Sequence, residues 1–283
     1  MNRLSITAHL LLLCIMAPFS VDADEAAARL AMEDAANPLV MIDTSQGDIL
    51  VELLADEAPQ NTARFLALAT GAAEVRDPDS GRTLFPNYYD GMRFHRVIPG
   101  FLIQTGSPAK SPLGEPTPLL NDEINASSLG LDVTPVILPD GSLNPTLNIN
   151  DRAALEDTLL LPLYRQMRIN SNEAVENQQF TIAERLQSMT VKQAYESLGY
   201  RYIERQPTRG ITRGSVVLAN QGPNSNGPEF FIAVADAPWL NGRHTVIGRV
   251  VDGMDVVDRI SRFAIDPLSD NRQSTLIFSI RQL

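Results

Sequence analysis

Residues 94–106 read FHRVIPGFLIQTG. Apolar residues recur through the stretch as they do in strands, yet it also carries His95, Arg96 and Gln104 and breaks at Pro99-Gly100. Two short strands, 93–98 and 101–105, joined by a Pro-Gly turn, account for the pattern. Neighbouring side chains of a strand point to opposite faces, so Arg96 lies opposite His95 and shares a face with Phe94 and Ile98. An Arg on an apolar face needs a partner or a ligand. It is otherwise an edge-strand residue with its head in water. A buried strand needs none of these polar groups, whereas a catalytic surface does.

Strand texture extends to both sides. Residues 38–44 and 47–53 alternate apolar and polar groups around Ser45-Gln46-Gly47, a hairpin signal. Pro59 to Thr70 predicts a helix that starts at a proline and stops before Gly71. A loop rich in Gly, Pro and Asp fills 76–91. Further strands are predicted at 215–219, 229–234, 244–251 and 275–281, and a helix at 254–262 with Met254, Val257 and Ile260 on one face. Six or more strands with two separated helices point to a mainly β fold, a closed barrel with helical caps.

The texture differs over 126–210. Residues 127–146 are loop-like and hold Pro135, Pro139 and Pro145. A helix over 151–167, with Leu155, Leu159, Leu163 and Met167 on one face, is expected to kink at Pro162. A second helix is predicted over 173–187, and Thr190-Val191-Lys192-Gln193 resembles a capping box for a short third, ended by Gly199. This stretch reads as a mainly helical insertion.

At the N-terminus, Arg3 precedes the apolar run AHLLLLCIMAPF (8–19), and Val21-Asp22-Ala23 offers small residues for cleavage after Ala23. That is a secretory signal pattern, followed by an Ala- and acid-rich leader at 24–37 and the main domain at 38–283. Cys14 follows Leu13 rather than a small residue, which argues against lipid attachment. Cys14 is the single cysteine, so the processed chain can have no disulfide, thiol catalysis or Cys-ligated zinc. No second long apolar run exists, so a chain exported to the periplasm without stable membrane insertion is expected. The net charge of -11 argues against a nucleic-acid surface.

After cleavage only His95 and His244 remain as histidines, too far apart for a zinc-binding spacing. No G-x-S-x-G elbow occurs, so a serine hydrolase fits poorly. Two further segments stand out. In ANQGPNSNGPEFFI (219–232) seven of fourteen residues are Asn, Gly or Pro, the content of a long turn, yet polar Asn220 and Gln221 and the pair Phe230-Phe231 flank it. WLNGRH (239–244) holds the only Trp and an Asn-Gly turn.

FHRVIPGFLIQTG, NDEIN (121–125), ANQGPNSNGPEFFI and WLNGRHTVIGRVVDGMDVVDRI (239–260), all within 38–125 and 211–283, resemble the cyclophilin family of peptidyl-prolyl cis-trans isomerases. The resemblance implies an eight-stranded antiparallel closed barrel capped by two helices. Arg96 matches the catalytic arginine, and Gln104 the glutamine that positions it. Phe101, Leu102, Phe231, Leu240 and His244 match the pocket for the proline ring. Ala219, Asn220 and Gln221 match the strand that binds the peptide backbone, and Trp239 the rim tryptophan, which leaves binding of cyclosporin-type ligands open. His95 matches a histidine outside the pocket. The implied partners are proline-containing unfolded or extended polypeptides, and no metal, cofactor or covalent intermediate is required.

Two departures bear on activity. Leu102 stands where many members have Met, an apolar swap. Glu229 stands where many have Gln, and a carboxylate there is placed to pair with Arg96. The signal pattern makes the chain similar to exported bacterial members, with an expected role in folding exported proteins. The alternative is a Pro-peptide-binding or holdase-type chaperone whose 126–210 insertion supplies the main surface.

Overall fold

The computed structural model describes residues 24–266, 268 and 274–283. The expected signal segment 1–23 lies outside them. In chain order the elements are α1 (Glu25–Ala31), β1 (Leu39–Thr44), β2 (Gly47–Leu53), α2 (Pro59–Ala69), β3 (Val75–Arg76), β4 (Thr83–Leu84), β5 (Arg96–Ile98) and β6 (Leu102–Thr105). They continue with α3 (Arg152–Leu155), α4 (Leu161–Met167), α5 (Asn172–Ser188), α6 (Val191–Ser197), β7 (Ser215–Leu218), β8 (Phe230–Ala233), β9 (Val246–Asp252), α7 (Met254–Ser261) and β10 (Ile277–Gln282). Strands β3 and β4 form a separate ribbon where the sequence predicts a loop over 76–91, β3 starting one residue before it.

The other eight strands make one antiparallel sheet in the order β10-β1-β2-β9-β7-β8-β6-β5. The expected closed barrel is therefore corrected to a sheet with two edges, β10 and β5. The reason lies at β5. Ile265, just after α7, exchanges both backbone hydrogen bonds with Val97 (2.9 and 3.0 Å) and so occupies that outer edge. Across the gap the chain before β5 meets the start of β10 without forming a ladder: an isolated Arg93–Leu276 bridge, with the Phe94 N–H donating to the Thr275 carbonyl at 3.0 Å and the Ile277 N–H to the Met92 carbonyl at 2.8 Å.

Alternation along the strands sorts side chains onto two faces. One face holds Ile42, Val51, Ile103, Val216, Phe230, Ile232 and Ile247, and the apolar sides of α2 (Phe65, Leu68) and α7 (Val256, Val257, Ile260) close over it. Phe65 packs on Tyr89 and Phe230 with ring centroids 5.3 and 5.2 Å apart. α2 begins at Pro59 as the sequence predicts, and its first amides are held from a distance: the buried Glu123 carboxylate accepts from the Gln60 and Asn61 backbone N–H groups at 3.1 and 2.8 Å. The opposite face carries Leu102, Val217, Phe231, Ala233 and Val246, with Phe101, Ala219, Trp239 and Leu240 packed against them.

Strict alternation breaks at one place that matters. β5 begins at Arg96, not Arg93, and both Phe94 and Val97 enter the main core. Phe94 therefore does not share a face with Arg96 as the sequence reading placed it.

Residues 126–210 leave the sheet between β6 and β7 and build a second core from Leu131, Val136, Leu159, Leu163, Val191 and Tyr195. The predicted kink at Pro162 takes the form of a π turn over Glu156–Leu160, in which the Leu161 N–H reaches the Glu156 carbonyl. This wide turn lies directly before the proline, which has no N–H to donate and crowds the preceding turn of a helix. The capping box at Thr190 is present in both halves: the Thr190 N–H donates to Gln193 Oε1 at 2.9 Å, and the Gln193 N–H to Thr190 Oγ1 at 3.3 Å.

Candidate active site

Pro99-Gly100 forms a reverse turn with Gly100 at φ +71° and the Phe101 N–H donating to the Ile98 carbonyl at 3.0 Å. That turn folds β5 onto β6 so that Arg96 pairs with Gln104 and Ile98 with Leu102. The register continues across β8 and β7, setting Gln104 opposite Phe231 and Phe231 opposite Val217. Arg96, Gln104, Phe231 and Val217 thus stand in one row across four adjacent strands, on the face away from the main core.

The polar half of the row is a chain of hydrogen bonds. Arg96 Nη1 donates to Gln104 Oε1 at 2.8 Å, and Gln104 Nε2 donates to Glu229 Oε1 at 2.5 Å. His95 Nε2 lies 3.0 Å from the same Glu229 oxygen. Two readings from the sequence are corrected here. Glu229 does not pair with Arg96 directly; Gln104 stands between them. His95 does not lie opposite Arg96 as strand alternation places it: β5 starts one residue after it, and its ring turns toward Glu229, to the oxygen that Gln104 also bonds.

The apolar half is built from three segments. Leu102 and Phe231 are buried, and Phe101 and Trp239 pack with centroids 5.7 Å apart. His244 meets the Phe231 ring edge-on at 5.9 Å. Its Nδ1 lies 3.2 Å from the Leu218 carbonyl, which assigns the proton to Nδ1. Burial, followed in size by the opposing bond to Leu218, pushes the imidazole down from 6.5 to about 4. The sign is that of a histidine kept neutral by folding. Below pH 6.5 the unfolded chain binds the proton more readily, so stability is full above pH 6.5 and is lost as pH falls toward 4. His244→Phe is expected to remove a pH dependence of on the order of 3 kcal/mol from urea unfolding between those values. Equal slopes for variant and wild type would refute it.

The two loops that carry the expected peptide-binding residues are pinned to each other. β7 ends at Leu218, so Ala219, Asn220 and Gln221 lie just past the strand; Ala219 still donates to the Glu229 carbonyl at 2.9 Å. Asn220 Nδ2 donates to the Arg243 carbonyl at 2.9 Å, tying this strand end to the 239–244 loop. Buried Asp122 accepts from the Asn224 N–H at 2.8 Å, and burial raises its carboxyl above the usual range. Sequence reasoning quoted NDEIN without giving Asp122 or Glu123 a task; both hold loop and helix backbone that only the fold brings near. Among the described residues no group of three His, Cys, Asp or Glu is placed to hold a metal, and no helix is long and apolar enough to cross a membrane.

The sheet thus sets Arg96 beside an apolar, partly aromatic wall, with two loops pinned to each other at its side. Residues 39–281 match the family described as cyclophilin-type peptidyl-prolyl cis-trans isomerase/CLD, and the chain belongs to that family of isomerases. Peptidyl-prolyl cis-trans isomerase B of Streptomyces anulatus is 26% identical over 231 residues, covering 80% of this chain and 85% of the relative. The probable peptidyl-prolyl cis-trans isomerase A of Mycobacterium leprae is 26% identical over 246 residues, covering 86% and 91%. Among solved structures, a cyclophilin-type isomerase of Cryptosporidium parvum, crystallised in the presence of the dipeptide Ala-Pro, aligns at 19% identity with a TM-score of 0.47 over 87% of this chain and 98% of that one.

Proposed function

We propose that Arg96 is the catalytic residue of an exported isomerase that turns Xaa-Pro bonds in extended polypeptides. The observation that carries this reading is the row itself: a guanidinium held by Gln104 at 2.8 Å beside the Phe101, Leu102, Phe231, Leu240 and His244 wall. Rotation about a peptide bond faces roughly 18–20 kcal/mol of lost amide resonance. In the twisted state the prolyl nitrogen becomes pyramidal and gains a lone pair. A donor aimed at that nitrogen stabilises the twisted state more than the planar one, which is the condition for catalysis. A guanidinium carries five N–H donors, and Gln104 uses one of those on Arg96. The apolar wall grips the proline ring, and the peptide backbone lies along Ala219–Gln221. Leu102 is buried in this wall and serves as the expected methionine would.

Phe101 gives a direct test of the pocket. Phe101→Ala is expected to lower kcat/KM by about 10-fold in a protease-coupled proline-peptide assay, the worth of one aromatic contact surface. A wild-type value would remove Phe101 from the pocket.

The export part of the proposal rests on the signal pattern, and one contact supports the cleavage point. The Asp24 N–H donates to the Asp252 carboxylate at 2.9 Å, while the Asp24 side chain caps α1. Cleavage after Ala23 turns that nitrogen into an ammonium already facing a carboxylate. Intact-mass measurement of periplasmic protein is expected to place the first residue at Asp24. A start elsewhere, or protein retained in the cytoplasm, would contradict it.

Residues 126–210 border the groove in this reading and narrow the choice of client. Their contact with the site loop supports it: Tyr202 Oη donates to the Gly242 carbonyl at 3.0 Å, Arg243 lies 5.6 Å from the Tyr195 ring centroid, and Leu131 and Tyr195 leave no space for a Cβ at Gly242. Such placement favours client selection over a separate holdase surface.

A further inference from the structure

The polar chain behind Arg96 ends on a residue that the isomerase mechanism does not use. We infer that His95 and Glu229 are positioning residues that fix the orientation of the Gln104 amide, and through it the aim of Arg96. The inference rests on the proposed catalytic role of Arg96.

The argument begins with an ambiguity in every glutamine. Its amide presents an oxygen acceptor on one side and an NH2 donor on the other, and it can turn over. Arg96 offers only donors, so the pair is productive in one orientation alone, with Gln104 Oε1 toward the guanidinium. An ionised carboxylate offers only acceptors. With Glu229 on the far side, the NH2 of Gln104 must face it, and Oε1 is left for Arg96, as the 2.5 and 2.8 Å bonds show. A glutamine at 229 would accept either orientation of its neighbour. The acidic residue thus sets what an amide would leave open.

A carboxylate does this only if it stays in place. Glu229 is fixed at its backbone and at its side chain. The preceding Pro228 carbonyl accepts from the buried Tyr89 hydroxyl at 2.9 Å. Gly106, at φ +80°, lets that backbone approach so closely that a Cβ there would sit 2.6 Å from the Pro228 oxygen. At the other end His95 Nε2 meets the oxygen that also accepts from Gln104. His95 Nδ1 is buried with no hydrogen-bond partner. A proton there would be stranded, so the ring carries it on Nε2 and donates to Glu229. The side chain of Glu229 keeps some contact with solvent (24%) and His95 less (11%), so the histidine forms the inner stop against which the carboxylate rests.

His95→Gln keeps a donor near the Nε2 position, whereas His95→Phe keeps the ring without it. The full-length processed protein is assayed with a proline peptide, separating kcat from KM, and peptide affinity is measured by titration. His95→Phe and Glu229→Gln are each expected to lower kcat about 3- to 10-fold with KM within about 2-fold, the mark of lost orientation rather than lost binding. His95→Gln is expected to recover most of the loss. The double variant His95→Phe/Glu229→Gln should be no slower than Glu229→Gln alone, because the donor has nothing left to hold. Multiplying losses in the double variant, or no rescue by Gln, would overturn the relay. A fast wild type, a slow Arg96→Ala and unaltered His95 and Glu229 variants would overturn this inference alone. An Arg96→Ala variant as fast as wild type would overturn the reading beneath it.

Discussion

Arg96→Ala is expected to lower kcat/KM for a proline peptide by about 10²- to 10³-fold, the range seen when one preorganised transition-state donor is removed. The loss should fall on kcat, since the proposed grip on the proline ring comes from the apolar cluster of Phe101, Leu102 and Phe231 rather than from the arginine. Folding should be little affected. Arg96 is half-buried in a three-residue edge strand, and among the described residues its side chain donates to Gln104 alone. Circular dichroism and an unchanged unfolding midpoint would confirm that the variant is intact. Arg96→Lys is the sharper probe. It keeps the charge but loses the planar fork, so it can serve either Gln104 or the prolyl nitrogen from a single ammonium. It is expected to recover only part of the activity. Isomerisation by Arg96→Ala at the wild-type rate would refute the assignment, and full activity in Arg96→Lys would reduce the arginine to a point charge.

That Arg96 could be singled out from sequence follows from local physics. A charged residue in an apolar strand beside a Pro-Gly turn violates the pattern around it, and the violation is visible without a fold. The hairpin 39–53, α7 and the Thr190 capping box were legible for the same reason, since each is specified by residues within one turn or one strand pair. What was not legible depended on partners far away in the chain. Ile265 covers β5 and turns the expected closed barrel into a sheet with edges, and nothing near Val97 announces it. Phe94 falls on the core face because β5 begins at Arg96 and not at the expected Arg93, and one displaced strand end reverses an alternation argument. The same alternation puts His95 opposite Arg96, yet its partner Glu229 lies on the other side of the helical segment and reaches it only through the β6–β8 register. Glu229 stands out in the sequence as a departure, but its route to Arg96 through Gln104 depends on the β5–β6–β8 register.

The largest effect on stability is expected far from this row, at Glu52. Its side chain is fully buried on β2, where apolar neighbours fill most positions. Its carboxylate accepts from the Glu33 N–H (3.0 Å), the Asp34 N–H (3.0 Å), Asn37 Nδ2 (2.9 Å) and Arg249 Nε (2.8 Å). Arg249 also pairs with Glu33 at 3.2 Å and donates to the Ala31 carbonyl. One buried acceptor group therefore ties α1 and the leader 32–37 to the sheet. Glu52→Gln preserves the size but replaces an acceptor oxygen by a donor. Whichever way the amide turns, donors meet donors, and at least one part-buried N–H loses its partner. The expected cost is about 3 kcal/mol, or roughly 6–12 °C in Tm for a chain of this size. Hydrogen exchange should quicken first in 24–37, because those amides lose their acceptor. Burial raises the Glu52 carboxyl and is the largest single influence, but the bonds from Asn37, Asp34, Glu33 and Arg249 together hold it below the ordinary glutamate range. A carboxyl lowered by folding stabilises fully above its unfolded value and loses that stabilisation as pH falls through its folded value. The gap between wild type and Glu52→Gln should therefore be widest near pH 7 and narrow below about pH 4. Equal melting of the two at pH 7 would show that the leader is held by its apolar contact through Ala28 and not by this carboxylate.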